Sequence, residues 1–299
     1  MTKTLIYFHH DCELHAPGAE HPERPERVKA ILSYLKHSDL QGLVYREAPK
    51  ATVEQLSRVH PRNHVDSILN KVPPSGMVSL DPDTRLSPGS GNAALRAAGA
   101  VCLALDEVIN GPIQTAFCVT RPPGHHAESN RAMGFCLFNN VAIGAQHVRK
   151  KHGIQRVAIV DFDVHHGNGT QQIFEDDSDT LYVSSHETPL FPGTGSHYEK
   201  GAGNISNIPL SPGTSSANFR QKWEQYGIPQ LNSFSPELVM FSAGFDAHGD
   251  DPLATMQLNS EDFSWLTKRV RSATQHSTHE RIVSTLEGGY NLQALCRGA

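Results

Sequence analysis

The segment Ile159–Gly169, IVDFDVHHGNG, opens like a buried strand and turns abruptly polar. Residues i, i+2 and i+4 of a strand share one face. Asp161, Asp163 and His165 are therefore expected to point the same way, with Phe162 and Val164 opposite. Two unpaired carboxylates at the end of a sheet are costly through desolvation and mutual repulsion, and a bound cation removes that cost. Aspartate oxygen combined with imidazole nitrogen, without thiolate, suits zinc or a similar divalent ion. Asp246, in SAGFDAHGD, supplies a third ligand beside Asp163 and His165. Three protein ligands leave one position open, the pattern of a catalytic zinc site. The competing reading is a hydrogen-bonded Asp/His network without metal.

A metal-bound water needs a base, and a departing amine needs an acid. His125 and His126, in RPPGHHAE, offer neutral imidazoles that titrate in the right range for both. Adjacent side chains diverge, so both reach one pocket only through a turn, which Pro122-Pro123-Gly124 provides. Each imidazole needs a partner to set its tautomer, and Asp161 and Asn168 are the candidates. Tyr290 follows two glycines in LEGGYN. Its phenol is either a hydrogen-bond donor to a developing oxyanion or a packing group with a wet hydroxyl.

These residues need a scaffold that gathers them. Apolar runs at Leu5–Phe8, Thr115–Thr120, Val157–Asp163, Leu181–Ser185, Leu238–Ser242 and Arg281–Leu286 read as strands. Helical patterns lie near Pro25–His37, Gly91–Ile109, Val141–Lys151, Ala217–Leu231 and Glu261–His276. Near-continuous apolar strands separated by helices predict an α/β fold with a parallel sheet covered on both faces. Five of these strands run directly into Gly, His, Asp or Tyr residues. The carboxyl ends of parallel strands open on one crevice, so the five loops are expected to converge on a single site.

The remaining composition narrows the class. At 299 residues and 38% hydrophobic content, the chain can build one large core, and no linker or repeat divides it. One domain over residues 1–299 is expected. Net charge is −5, and the one basic cluster, Arg149-Lys150-Lys151-His152 before Gly153, reads as a helix C-terminus rather than a nucleic-acid surface. Five cysteines are scattered with no C-x-x-C pair, which argues against disulfides and thiolate zinc and suits a reducing cytoplasm. The opening MTKTLIYFHHDC has too short an apolar run for a signal peptide, and no stretch is long enough to span a bilayer. Neither nucleic acid nor membrane is expected as a partner, while a homo-oligomer is compatible with everything above.

Taken together, HPERPERV, RPPGHHAESNRAMGFCLFNN, DFDVHHGNGTQ, LFPGTG, SAGFDAHGDDPLA and LEGGYN resemble the zinc-dependent histone deacetylase family. The likeness is closest to its class II branch and the bacterial deacetylase-like amidohydrolases, and runs from about Phe8 to Asn291. The resemblance implies a three-layer arginase/deacetylase fold around an eight-stranded parallel sheet. It also implies removal of acetyl (acyl) groups from acetyl-lysine, in a protein or peptide, or from a small acylated amine. It makes Asp163, His165 and Asp246 the zinc ligands, His126 the general base and acid, and His125 its neighbour paired to Asp161. Tyr290 then polarises the scissile carbonyl, Phe135 and Phe191 wall an acyl-lysine channel, and the Gly134 carbonyl accepts the substrate N–H. A structural potassium ion is implied on oxygens of Asp161, Asp163, His165, Ser184 and Ser185, and Arg27 is implied beside an internal cavity for acetate exit. Asn168 departs from the class I aspartate, and a neutral partner should hold the His126 imidazolium less well. Relatives usually continue into a further helix where this chain reaches Ala299.

Acetylpolyamine hydrolysis is the nearest rival reading. Leu253 stands where polyamine-selective relatives often carry an acidic gatekeeper, although Asp250 and Asp251 lie next to it. Arginase-like guanidinium hydrolysis lacks the bridging carboxylates of a two-metal site. A non-catalytic acyl-lysine binder conflicts with every catalytic position being filled. Cys136 reads as a small buried residue, and GAGNIS lacks the third glycine of a dinucleotide fingerprint.

Overall fold

The computed structural model describes residues 3–299. Its strands are β1 (Thr4–Phe8), β2 (Leu43–Glu47), β3 (Val78–Ser79), β4 (Arg85–Leu86), β5 (Thr115–Cys118), β6 (Val157–Asp161), β7 (Thr180–Glu187), β8 (Ile205–Leu210), β9 (Leu238–Ala243) and β10 (Ile282–Leu286). The helices are α1 (Glu26–His37), α2 (Val53–Leu56), α3 (Arg62–Asn70), α4 (Ser90–Asn110), α5 (Asn140–His152), α6 (Asn168–Phe174), α7 (Ser216–Lys222), α8 (Ile228–Phe234), α9 (Ser260–Thr278) and α10 (Leu292–Gly298). Eight strands form one sheet in the order β2-β1-β5-β10-β9-β6-β7-β8, and β3 and β4 pair separately. Every pairing in the large sheet is parallel.

The sheet is dry on both sides because its strands are apolar on both sides. In β6, Val157 and Ile159 join a core with α4 and α5, while Ala158 and Val160 join the opposite core with α1, α8 and α9. This is the expected three-layer α/β arrangement. A smaller cluster packs α2 and α3 against α4 and α5. None of the described helices is long and apolar enough to cross a membrane.

Helix boundaries follow local chemistry. The Asn139 side chain accepts Ala142 N–H to start α5, and Gly153 at φ 69° ends it behind the basic turn Arg149–His152. Asn259 and Asp262 form a capping box on α9. The expected helix Ala217–Leu231 is broken by a π-helical turn at Trp223–Gly227.

Two further differences concern strands. The two edge strands, β2 and β8, were not expected. And β6 ends at Asp161 rather than Asp163, because side chains there take over the backbone donors. Asp161 Oδ1 accepts Asp163 N–H (3.2 Å), and Asp163 Oδ1 accepts His165 N–H (2.8 Å). Asp161, Asp163 and His165 are therefore brought together by a turn as well as by strand pleat.

Candidate active site

The strands with chemically loaded ends are β5, β10, β9, β6 and β7, which are consecutive neighbours in the sheet. Their carboxyl ends form one continuous rim, so residues separated by more than a hundred positions in sequence meet there.

Asp163, His165 and Asp246 each offer a ligand atom, and these atoms lie within 4.8 Å of one another. His165 Nδ1 is 3.1 Å from Asp163 Oδ1 and 3.2 Å from Asp246 Oδ2. The remaining oxygens are held from outside the cluster: Asp246 Oδ1 accepts Val164 N–H (2.9 Å), and Asp163 Oδ2 accepts Gly288 N–H (2.7 Å). Glycine is required at 288, since a Cβ there would sit 2.0 Å from Asp246 Oδ2. Asp161, Asp163, Asp246 and Glu287 are all fully buried, and none of them forms an ion pair with Lys or Arg among the described residues. Burial and the neighbouring Asp163 charge push Asp246 up to about 7. Burial alone would lower His165, but its bonds to Asp163 and Asp246 push it up to about 10. With no Lys or Arg nearby, the carboxylates draw a proton onto His165, and the O/N donors of the set fit a divalent ion in that proton's place.

The two histidines are fixed by different partners. His125 Nδ1 is 3.0 Å from Asp161 Oδ2, which also accepts the Tyr182 hydroxyl (2.9 Å). Burial opposes charge on His125, yet Asp161 and Asp163 override it and push the imidazole up to about 10. His126 Nδ1 is 2.9 Å from Asn168 Oδ1. The Asn168 amide is oriented by its other end, which donates to Glu128 Oε1 (2.9 Å). Nδ1 of His126 therefore carries the proton, leaving the Nε2 lone pair free. Burial, then the charges of His125 and His165, hold His126 well below the usual histidine range. The turn carrying both rings is pinned by Glu287, whose Oε2 accepts Gly124 N–H (2.7 Å) and His125 N–H (3.1 Å).

A cavity of about 210 Å³ opens above this floor, lined by His126, Gly134, Phe135, Phe191, Leu253 and Tyr290 among others. Phe135 adopts φ 68°, unusual for a bulky residue. Its N–H donates to Thr84 Oγ1 (3.0 Å), and Gly134 N–H donates to Asp83 Oδ1 (3.1 Å), so the strained turn is held from the β3–β4 loop. Among the described residues, the Gly134 carbonyl accepts only the weak Cys136 thiol donor at 3.3 Å. The Tyr290 ring meets Phe135 edge-on, with centroids 6.1 Å apart, and Arg27 Cζ lies 4.9 Å from its centroid. Arg27 Nε donates to Gly289 O (2.7 Å), which supports the tyrosine loop from beneath. Helix α10 lies under the same loop, with Leu295 against Gly289.

Ser184 pairs in register with Asp161, but its hydroxyl bonds His186 Nδ1 (2.9 Å). Ser185 turns its hydroxyl to the Trp223 indole N–H (3.0 Å). Asp250 is exposed and pairs with Arg297 (3.0 Å). Asp251 is buried and is consumed by the backbone, its oxygens accepting the N–H groups of Leu253 (3.1 Å), Tyr290 (2.6 Å) and Asn291 (3.1 Å). Glu287 and Asp251 as loop anchors, and Asp83 in the cavity lining, are functional positions beyond those expected from the sequence. The only local signal for Asp83 is the turn motif Asp81-Pro-Asp-Thr84.

A parallel α/β sheet that carries buried imidazoles, a phenol and a set of O/N donors fit for a divalent ion at its carboxyl edge is the architecture of a metal-assisted hydrolase. Residues 21–299 match the histone deacetylase domain, and the chain belongs to that family. It is 37% identical over 312 residues to the histone deacetylase-like amidohydrolase of Pseudomonas aeruginosa, covering 97% of this chain and 82% of that protein. A probable deacetylase of Archaeoglobus fulgidus is 35% identical over 297 residues, with the same 97% and 82% coverage. The crystal structure of the HDA15 HD domain superposes with a TM-score of 0.92 at 33% identity, covering 99% of this chain and 86% of that one. The chain is thus a hydrolytic deacetylase of the amidohydrolase type.

Proposed function

We propose that the chain, acting as one catalytic domain over residues 1–299, is a zinc-dependent amidohydrolase that removes acetyl or related acyl groups from the side-chain amine of acetyl-lysine. The observation that carries this reading is the shared cavity. His126 and Tyr290 line it beside the ligand His165, behind a mouth bordered by Phe135, Phe191 and Leu253. Asp163, His165 and Asp246 would hold the zinc. Bound zinc would supply Lewis acidity toward the acyl carbonyl and make a neighbouring water more acidic.

The chain's own groups do the rest. The two phenylalanines flank the aliphatic stem, and the Gly134 carbonyl accepts the substrate amide N–H. Nε2 of His126 takes the proton of the attacking water. Tyr290 donates its hydroxyl hydrogen to the carbonyl oxygen as negative charge develops there. The His126 imidazolium then gives its proton to the lysine amine, and acetate departs. His125 stays paired with Asp161 and holds positive charge near the site. A structural potassium ion on oxygens of Asp161, Asp163, His165, Ser184 and Ser185 belongs to the same proposal. So does a cytoplasmic location, supported by five free thiols, four of them buried.

One observation favours a second reading, acetylpolyamine hydrolysis. Asp83 lines the cavity and puts a carboxylate where a distal ammonium would pass, although Leu253 is apolar and Asp251 is occupied. Steady-state turnover of an acetyl-lysine peptide beside N-acetylputrescine, with zinc-loaded protein, separates the two. Higher kcat/KM for the peptide is expected, and preference for the polyamine would overturn the substrate assignment while keeping the chemistry.

A further inference from the structure

A second cavity, about 360 Å³, lies away from the one lined by His126 and Tyr290, at the free edge of the sheet. Its floor is β8, and its walls are the loop around His197–Lys200 and the π-helical turn following α7. Such turns are frequent at functional sites because the extra residue redirects side chains. Here Lys222, Gln225 and Tyr226 face the cavity, with Lys222 Nζ 5.3 Å from the centroid of the Tyr226 ring.

Three features give this cavity one chemical character. First, Lys200, Lys222 and His197 line it, and among the described residues no carboxylate does. The nearby Glu199 is already engaged by Gln171 Nε2 (2.6 Å) and by Ser196 N–H (3.0 Å). Second, the exposed edge of β8 adds a backbone donor. Tyr182 N–H donates to Asn204 O and Thr188 N–H to Leu210 O, so even-numbered residues of β8 face β7. The odd-numbered ones face outward. Of these, Ile205 N–H is used by Lys200 O and Pro209 has no N–H, which leaves Asn207 N–H on the open edge. Third, Asn207 is 5% exposed and its Nδ2 is fixed by Gln171 Oε1 (2.8 Å) and Ser196 O (3.3 Å), which holds the strand edge that carries this free N–H in place.

We propose that this cavity is a second binding site, for a small metabolite carrying at least two negative oxyanion charges. Two ammonium groups and a strand-edge amide are donors suited to phosphate or carboxylate oxygens. The volume equals about a dozen waters at roughly 30 Å³ each, which suits a small metabolite. Tyr226 offers a flat face for its carbon skeleton.

The test is isothermal titration of the zinc-loaded protein with inorganic phosphate and, separately, citrate, with ionic strength held constant by sodium chloride. Saturable binding with a dissociation constant at or below about 1 mM is expected for at least one probe. Phosphate alone would identify a phosphorylated ligand, and citrate alone a polycarboxylate. The double variant Lys200→Gln/Lys222→Gln should weaken binding by about tenfold or more. Gln225→Glu, an exposed change that adds a carboxylate to the wall, should do the same. Neither variant should alter peptide deacetylation without the anion. Absence of saturable binding by both probes, or undiminished binding by the variants, would overturn the proposal.

Discussion

Replacing Asn168 by aspartate isolates the role of His126. The Asn168 oxygen is 2.9 Å from Nδ1 of His126, and a carboxylate there would face the ring at the same distance. His126 is held well below the usual histidine range by burial, then by the His125 and His165 charges. An opposite charge in direct contact raises such a value by about 1–3 pH units, or about 1.4–4 kcal/mol in favour of the imidazolium. The lower end applies, because Glu128, bonded to the Asn168 amide at 2.9 Å, would repel the new carboxylate. His126 must be neutral to accept a proton, so a raised value moves the acid limb of kcat/KM to higher pH, by about 1 unit. The imidazolium also becomes a weaker acid toward the leaving amine, and plateau kcat should fall. The assay is the pH profile of kcat/KM on an acetyl-lysine peptide, for wild type, Asn168→Asp and Asn168→Asp/Glu128→Gln. The double variant should shift furthest. An acid limb that stays in place in both variants would refute His126 as the titrating base.

Tyr290→Phe should lower kcat by about 10²-fold with zinc content unchanged, and a near-normal kcat would remove the hydroxyl from the mechanism. Asp251→Asn can keep an acceptor for Tyr290 and Asn291 only by turning its amide hydrogens toward Leu253 N–H. The lost charge-assisted bond, about 1.5 kcal/mol, should appear as about tenfold in kcat from a misplaced tyrosine loop. Steady-state kinetics with unaltered kcat would make Asp251 a bystander. His60 Nδ1 donates to Ser129 O, and its Nε2 accepts Asn139 N–H, so protonation would set two donors against each other. Burial lowers it from 6.5 to about 4. A lowered folded value means the unfolded chain binds the proton first. The stabilisation is therefore complete above pH 6.5 and lost as pH falls toward 4, about 3 kcal/mol across the window. Denaturant unfolding from pH 7 to 4 should show a flatter decline in His60→Gln than in wild type, and equal slopes would contradict this.

How far the sequence can be read differs between the middle of the sheet and its margins. The central strands are apolar on both faces, and their loaded carboxyl ends mark the site, so β5, β6, β7, β9 and β10 and their loops were legible. The edges were not. Leu43–Glu47 carries charge and is half exposed, while Ile205–Leu210 contains Ser, Asn and Pro. Pro209 is tolerated because its missing N–H falls on the open side of β8. The pairing of His125 with Asp161 came from the family resemblance, whereas Asp161 and Asn168 as partners of the two imidazoles could be anticipated from chemical need. Glu287 and Asp251 could not, because their partners are backbone amides of distant loops, which leave no residue-type signature. The strand end at Asp161 was hidden for a related reason: the carboxylates of Asp161 and Asp163 fold back onto their own backbone.

In the proposed function, Asp163, His165 and Asp246 hold the metal on which acyl hydrolysis depends. Zinc content and acetate release from an acetyl-lysine peptide, measured together on wild type and Asp246→Ala, test it most directly. One zinc per chain with turnover in the wild type, and loss of both in the variant, is the predicted result. A full zinc complement with undiminished turnover in Asp246→Ala would contradict it.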